Sequence, residues 1–216
     1  MLGHSLGEFS ALVACGSLPY ADALRLVAER GAAMHAAGLE RPGTMAALLG
    51  LDDAVAEALC AEAGDAWPAN YNCPGQVVAS GTIEGIERLL ALAAEGGVKA
   101  ARLQVGGAFH SSLMAPAAER LGPALDAWSP VEPSPRFLST TTLRIESAET
   151  LRQTMFDQLR SPVRFGQAVA RALELGVTRF VEVAPGRVLS GLAKRVRRDI
   201  DTRQIAVPDD LAGLGQ

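Results

Sequence analysis

Apolar residues recur at helical spacing through the first forty residues of the chain. Residues 5–16 (SLGEFSALVACG) are apolar on nearly every side, which predicts a short buried helix with Gly16 as its C-terminal stop. Residues 20–38 predict a second helix. Its apolar stripe consists of Leu24, Val27, Ala28, Gly31 and Met34. Arg30 falls beside this stripe.

The middle of the chain alternates between strand and helix patterns. The predicted strands are 44–50, 67–72, 76–81 and 99–105, and the predicted helices are 52–64 and 83–97. A turn at Cys73-Pro74-Gly75 joins the second and third strands. The order β-α-β-β-α-β is the split βαβ pattern of a ferredoxin-like unit.

Helix and strand patterns alternate again after residue 107. A helix is expected from Ser111 to about Trp128, with Pro116 and Pro123 as possible interruptions. The remaining expected elements are a strand at 136–140, helices at 147–159 and 165–175, a buried strand at 178–185 and a last helix at 187–196. The tail after Arg198 is expected to be loosely held. This alternation predicts a parallel sheet.

These elements predict two domains. The larger α/β domain comprises residues 1–42 and 108–216, and a small domain, residues 43–107, is inserted in it. The length of 216 residues, with 49% hydrophobic and 20% charged residues, suits a globular protein with a sizeable core.

Charge and cysteine content exclude several classes of protein. The net charge of −4 argues against nucleic acid as a partner, since a phosphate-binding surface is normally basic. Cys15, Cys60 and Cys73 have neither C-x-x-C spacing nor a zinc-ligand pattern, so neither a disulfide scaffold nor a metal site is expected. The sequence has no signal peptide pattern and no apolar stretch of membrane-spanning length. We therefore expect a cytoplasmic protein without a membrane partner.

Gly3-His4-Ser5-Leu6-Gly7 has the form G-x-S-x-G, which is typical of a nucleophile elbow. A serine hydroxyl is a weak nucleophile, so it needs a base within hydrogen-bond reach and donors for the oxyanion that forms. The N–H of Leu6 and the positive end of the following helix would supply such stabilisation. A chance occurrence in a chain rich in Gly and Ala is the alternative.

The base must come from three histidines. His4 neighbours Ser5 and should point to the opposite side, and His35 lies on a helix in an unremarkable setting. His110 follows the last strand of the small domain, at a domain junction, and is favoured mainly by elimination. The sequence offers no clear third member of a triad, because Asp52, Asp53, Glu57 and Glu62 have the spacing of a solvated helix surface. A simple esterase therefore fits poorly.

Several motifs in register resemble one family, the malonyl-CoA:acyl-carrier-protein transacylases and the related acyltransferase domains of polyketide synthases. The matching segments are GHSLGEFSALVACG, ADALRLVAERGAAM, NYNCPGQVVASG, GAFHSSLM, LRSPVRFGQAV and VEVAPGRVLSGLAKR. The resemblance extends from residue 1 to about 198. The expected fold class is α/β, with an α/β-hydrolase-like parallel-sheet domain, N-terminally truncated, and an inserted ferredoxin-like βαββαβ small domain.

The resemblance implies roles for individual residues. Ser5 would be the nucleophile, His110 its general base and then acid, and Leu6 N–H an oxyanion donor. The backbone carbonyl of Gln158 would orient the histidine, which would account for the missing acid. Arg30, which as an isolated helix arginine would be expected in solvent, would grip the free carboxylate of malonyl.

The remaining matches concern the substrate and the partner. Asn72 and Gln76 would line the thioester channel. Met34, in the matching segment RGAAM with Arg30, would contact the substrate. Phe109 matches malonyl-selective members, which have a bulky residue at this position. The implied reaction is a ping-pong transfer of malonyl from malonyl-CoA to an acyl carrier protein, in fatty-acid or polyketide synthesis, with no cofactor. An acidic carrier could dock on a cluster of basic residues. The alternative is that these cations complement the negative end of a helix dipole. This basic cluster consists of Lys194, Arg195, Arg197 and Arg198.

Two rival functions remain at this point. A serine thioesterase or esterase would transfer the acyl group to water, although such an enzyme has no need of a carboxylate clamp.

Family members also carry a segment before the G-H-S-x-G motif, with the strand that enters the elbow and a glutamine that supplies a second oxyanion donor. We therefore expect residues 1–216 to be a fragment or a mis-started reading frame, which could be an inactive carrier-binding chain.

Overall fold

The computed structural model describes residues 1–213, and its first two elements are helices α1 (Gly7–Ala14) and α2 (Tyr20–Glu40). The predicted apolar stripe of α2 is wrong, because the buried face of the helix is shifted by about one residue from it. Leu24 is 55% exposed, whereas Leu26 and Arg30 are buried. The buried face comprises Ala23, Leu26, Arg30, Ala33, Met34, Ala37 and Gly38. These positions have helical spacing too, so packing rather than periodicity decided between the two stripes.

The middle of the chain forms the predicted βαββαβ unit. It consists of β1 (Thr44–Leu49), α3 (Asp53–Ala63), β2 (Ala66–Cys73), β3 (Gln76–Gly81), α4 (Ile83–Glu95) and β4 (Lys99–Arg102). The sheet order is β2-β3-β1-β4 and every neighbouring pair is antiparallel. Strand β3 thus lies between β1 and β2, which is the split βαβ arrangement of a ferredoxin-like unit.

The two faces of this sheet have different partners. Leu48 and Val77 face α3 and α4 and pack with Ile86 and Leu89, all fully buried, as the two-residue period of a strand dictates. Met45 and Val78 face the other way and pack against Phe109. The second face therefore supports the segment that carries His110.

The second half of the chain contains short strands between helices. After a 3₁₀ turn at Ser112–Met114 come α5 (Ala115–Ala127), β5 (Phe137–Leu138), β6 (Ile145–Glu146), α6 (Ala148–Gln158), α7 (Phe165–Glu174), β7 (Arg179–Val183), α8 (Val188–Val196), β8 (Asp201–Ile205) and a 3₁₀ segment at Pro208–Gly213. Neither expected proline interruption of α5 occurs. Pro116 lies in the first turn, where no N–H is needed, and the helix continues through Pro123.

The parallel pairing expected in the larger unit is seen between β7 and β8, whereas β5 and β6 pair antiparallel. Two details of the prediction are wrong. The strand at 178–185 is not buried, since Val181 and Val183 are 41% and 75% exposed. The tail after Arg198 is not loose over residues 199–213, because β8 pairs along the whole of β7 and Ile200 is buried; residues 214–216 lie outside the described part of the chain. An apolar run of this length signals a strand but not what covers its faces.

One edge of the small sheet joins it to the rest of the chain. Strand β2 is an edge strand, and Tyr71 N–H donates to the Val163 carbonyl at 2.8 Å while Val163 N–H donates to the Ala69 carbonyl at 2.8 Å. This bridge places the end of β2 beside the loop between α6 and α7. The division of the chain at residues 43 and 107 stays a prediction. Within residues 1–213, no helix combines the length and apolar character needed to cross a membrane.

Candidate active site

Ser5 lies in a strained turn directly before α1. Its φ is +51°, a left-handed conformation that a non-glycine residue rarely adopts. A Cβ at Gly3 would lie 2.1 Å from the Gly7 carbonyl carbon, so only glycine fits at the first position of the motif. A Cβ at Gly7 would meet nothing within 4 Å. The turn therefore requires the first glycine sterically and presents the Ser5 hydroxyl at the start of the helix.

Ser5 and His110 meet although 105 residues separate them. Ser5 Oγ lies 2.7 Å from His110 Nε2, and His110 Nδ1 lies 3.0 Å from the carbonyl oxygen of Gln158. A carbonyl oxygen can only accept, so Nδ1 carries the hydrogen and Nε2 is free to accept the Ser5 hydroxyl proton. A backbone carbonyl thus occupies the place that an acid holds in a Ser-His-Asp triad.

The surroundings of His110 keep its imidazole neutral. The residue is 5% exposed and has a φ of +59°. Burial lowers the pKa of His110 to about 4, a shift that its hydrogen bond to the Gln158 carbonyl partly offsets and that nearby Arg30 reinforces. At neutral pH the imidazole is therefore in the form that can take a proton.

The N–H of Leu6 is available beside the nucleophile. Within residues 1–213 it donates to no acceptor, whereas the next N–H groups, those of Gly7 and Glu8, donate to the carbonyls of His4 and Ser5. It is one of the unpaired donors that every helix start leaves, and it carries the positive end of the dipole of α1. An anion formed on an acyl group at Ser5 would meet this donor.

Arg30 is buried against the nucleophile rather than solvated. It is 6% exposed, its Nη2 donates to Ser5 Oγ at 3.0 Å, and its Cζ lies 5.8 Å from the centre of the Phe9 ring. Within the described residues its buried Nε has no hydrogen-bond partner. Burial lowers the pKa of Arg30 to about 10, and the negative charge of Glu8 opposes that shift, so the guanidinium stays charged at neutral pH.

The side chain of Gln158 makes contacts that the sequence did not predict. Its Nε2 donates to the Ser5 carbonyl at 3.1 Å and to Glu8 Oε2, and its Oε1 accepts from Arg30 Nη2 at 3.4 Å. Sequence reasoning missed Glu8 entirely. The available signal was a carboxylate in an otherwise apolar segment, three residues after the serine.

Asn72 and Gln76, predicted to line the thioester channel, have hydrogen-bond partners other than Ser5 and His110. His4 Nε2 lies 2.8 Å from Asn72 Oδ1 at the end of β2, so His4 pairs with Asn72 whereas Ser5 pairs with His110. Gln76 Oε1 accepts from Arg195 at 3.2 Å, and within residues 1–213 no hydrogen bond joins Gln76 to Ser5 or His110. It therefore stands apart from the Ser5–His110 pair.

Two predicted apolar site residues belong to the packing around His110. Met34 is 9% exposed in the core that α1, α2 and α5 share, and Phe109 is half-buried against that core. The basic cluster lies on α8 and just after it, with all four side chains exposed. Arg197 pairs with Asp199 at 3.1 Å, and Lys194 lines a surface cleft that also contains Asp209 and Asp210.

Comparisons with known proteins show the family of the chain. Residues 1–208 match the family described as acyl transferase domain. The chain is 41% identical over 215 residues to a malonyl CoA-acyl carrier protein transacylase of Bacillus subtilis, covering 97% of the chain and 68% of that protein.

Solved structures agree as well. A malonyl-CoA:acyl carrier protein transacylase of Xanthomonas oryzae matches with a TM-score of 0.93 and 42% identity, over 98% of this chain and 69% of that one. A type II PKS acyl-carrier protein in complex with its malonyl-transacylase matches with a TM-score of 0.93 and 36% identity, over 98% and 70%.

Proposed function

Since the chain belongs to the acyl transferase domain family, we propose that it transfers a malonyl group from malonyl-CoA to the phosphopantetheine thiol of an acyl carrier protein. The observation that carries this proposal is Arg30. A charged, buried guanidinium with an unpartnered Nε, 3.0 Å from the Ser5 hydroxyl, suits an acyl group that ends in a carboxylate. A neutral acyl group would leave the Nε donor of Arg30 without a partner.

The first half-reaction would form an acyl-enzyme. Ser5 Oγ attacks the thioester carbonyl carbon while His110 Nε2 takes the hydroxyl proton, and the Leu6 N–H donates to the oxyanion. When the tetrahedral intermediate collapses, the C–S bond breaks and the proton on Nε2 goes to the departing CoA sulfur. The malonyl carboxylate binds Arg30 throughout.

The second half-reaction would reverse these roles with a different thiol. The phosphopantetheine thiol gives its proton to His110 Nε2 and attacks the malonyl ester carbon, and Ser5 Oγ leaves and recovers that proton. The reaction as proposed is a thioester exchange without oxidation or reduction, so CoA thioester and phosphopantetheine are substrates and no cofactor takes part.

The basic cluster is our proposed docking site for the carrier. Its four cations are exposed on α8 and just after it. Arg195 donates a hydrogen bond to Gln76, and we propose that Gln76 and Asn72 line the thioester channel. An acidic carrier would be attracted to such a surface.

Met34 and Phe109 would form the apolar side of the acyl pocket.

The test is intact-mass spectrometry after brief mixing with malonyl-CoA. One malonyl adduct is expected on the wild type and on Ser10→Ala, which replaces an exposed serine on α1, the helix that follows Ser5, and none on Ser5→Ala. Adding phosphopantetheinylated carrier should move the malonyl group to the carrier, whereas buffer alone should leave the adduct in place. Rapid hydrolysis in buffer would instead indicate a thioesterase, and absence of any adduct would refute the proposal.

A further inference from the structure

We propose that Glu8 and the side-chain amide of Gln158 are positioning residues that hold Arg30 ready for a carboxylate, which makes the site prefer carboxylated acyl groups. This inference rests on the function proposed above. The arrangement, in which Glu8 holds Gln158 and Gln158 contacts Arg30, is called the Glu8–Gln158–Arg30 relay.

Glu8 is a fully buried carboxylate with several hydrogen-bond donors around it. Its Oε1 accepts from Thr140 N–H at 2.6 Å and from Thr140 Oγ1 at 2.9 Å, and its Oε2 accepts from Gln158 Nε2. Burial raises the pKa of Glu8, and the hydrogen bonds from Gln158 and Thr140 oppose that rise. Donors directed at both oxygens favour the ionised carboxylate.

Glu8 determines which way the Gln158 amide faces. The Glu8 carboxylate and the Ser5 carbonyl can only accept, so the amide nitrogen must face them. The amide oxygen is therefore turned toward Arg30 Nη2, 3.4 Å away. Without the carboxylate the amide could rotate and direct its own N–H groups at the guanidinium, which would push the cation away.

The relay also explains how a buried cation is stabilised without losing its binding capacity. The negative charge of Glu8 raises the pKa of buried Arg30, yet within residues 1–213 no direct salt bridge joins the two side chains. A direct bridge would occupy the guanidinium fork, whereas the amide contacts one nitrogen and leaves Nε unpartnered. Charge compensation and a free donor for the substrate therefore coexist.

A purely structural role for Glu8 is the competing explanation. Its bonds to Thr140 tie α1 to the loop after β5, and losing them would weaken the site for every substrate alike. The relay predicts a different outcome, because only a substrate with a carboxylate uses Arg30. The preference for malonyl-CoA over acetyl-CoA, both measured as acylation of Ser5, separates the two explanations.

The test compares the wild type with Glu8→Gln and Gln158→Met. Gln158→Met removes the amide but keeps the backbone carbonyl that His110 contacts. Thr140→Val is the matched control, since it removes one anchor of Glu8 and leaves the relay in place. Acylation kinetics with both thioesters are measured for each variant, with thermal melting in parallel.

We expect both relay variants to lose about 10- to 100-fold in kcat/KM with malonyl-CoA, mainly through KM, and less than about threefold with acetyl-CoA. Thr140→Val should lose similarly small factors with both. In an Arg30→Met background, Glu8→Gln should have little further effect on malonyl transfer. Equal losses for the two thioesters would overturn the relay while the malonyl adduct on the wild type still supported the proposed function. A wild type that forms no malonyl adduct would overturn both.

Discussion

Replacing Arg30 by methionine should convert a malonyl-selective site into an unselective one. Arg30 is 6% exposed, so water screens its bond to a substrate carboxylate only weakly. A hydrogen bond to a charged group contributes about 1.5–3 kcal/mol, and a forked pair therefore about 3–6 kcal/mol. At about 1.4 kcal/mol per factor of ten, kcat/KM for malonyl-CoA should fall by roughly 10² to 10⁴.

The assay is the rate of Ser5 acylation by malonyl-CoA and by acetyl-CoA across a range of concentrations. Because Arg30 also donates to Ser5 Oγ, both rates can change, and the ratio of the two isolates the carboxylate contact. Arg30→Lys is the control, since it keeps the charge without the planar fork and should give an intermediate ratio. A ratio that stays at the wild-type value in Arg30→Met would refute the reasoning, since malonyl would then bind without the clamp.

Two further predictions concern pH and the carrier. Burial holds the pKa of His110 at about 4 in the folded state, below its ordinary 6.5, so the unfolded state takes up the extra proton between these values. The free energy of unfolding should therefore fall as pH is lowered from about 6.5 to about 4, by up to roughly 3 kcal/mol for this group. Measured by urea unfolding, the free energy of unfolding of His110→Gln should decline less steeply over this pH range. An equal decline in the variant and the wild type would contradict the prediction. Lys194→Glu with Arg198→Glu should raise KM for the carrier about tenfold and leave the malonyl adduct unchanged, whereas Arg25→Glu on α2 should change neither quantity. No change in the KM of the double variant, measured at low ionic strength, would remove α8 from the docking surface.

Local patterns in the sequence were enough to predict the elements of the small sheet. The strand predicted at 76–81 and the helix predicted at 83–97 match β3 and α4 closely. Thr82 caps α4 by accepting from Gly85 N–H at 2.9 Å, so even the helix start is encoded within three residues. Such features depend on neighbours along the chain, and a sequence displays them directly.

The site could be predicted only in part. The G-x-S-x-G motif is local, and the contact that makes Gly3 necessary involves Gly7, four residues on. The pairing of Ser5 with His110 spans 105 residues, and it was proposed from elimination and from a family resemblance rather than from spacing. The resemblance also supplied the backbone carbonyl of Gln158, for which no side-chain pattern exists.

Local sequence patterns therefore specify the type and order of the elements and the turn that carries the serine. Long-range packing sets which stripe of α2 is buried, leaves β7 exposed, and brings the Gln158 amide between Glu8 and Arg30. The difference lies in the range of the interactions. Hydrogen bonds and steric clashes within a turn or helix depend on adjacent residues, whereas burial and the charge of a site depend on which distant segments pack together.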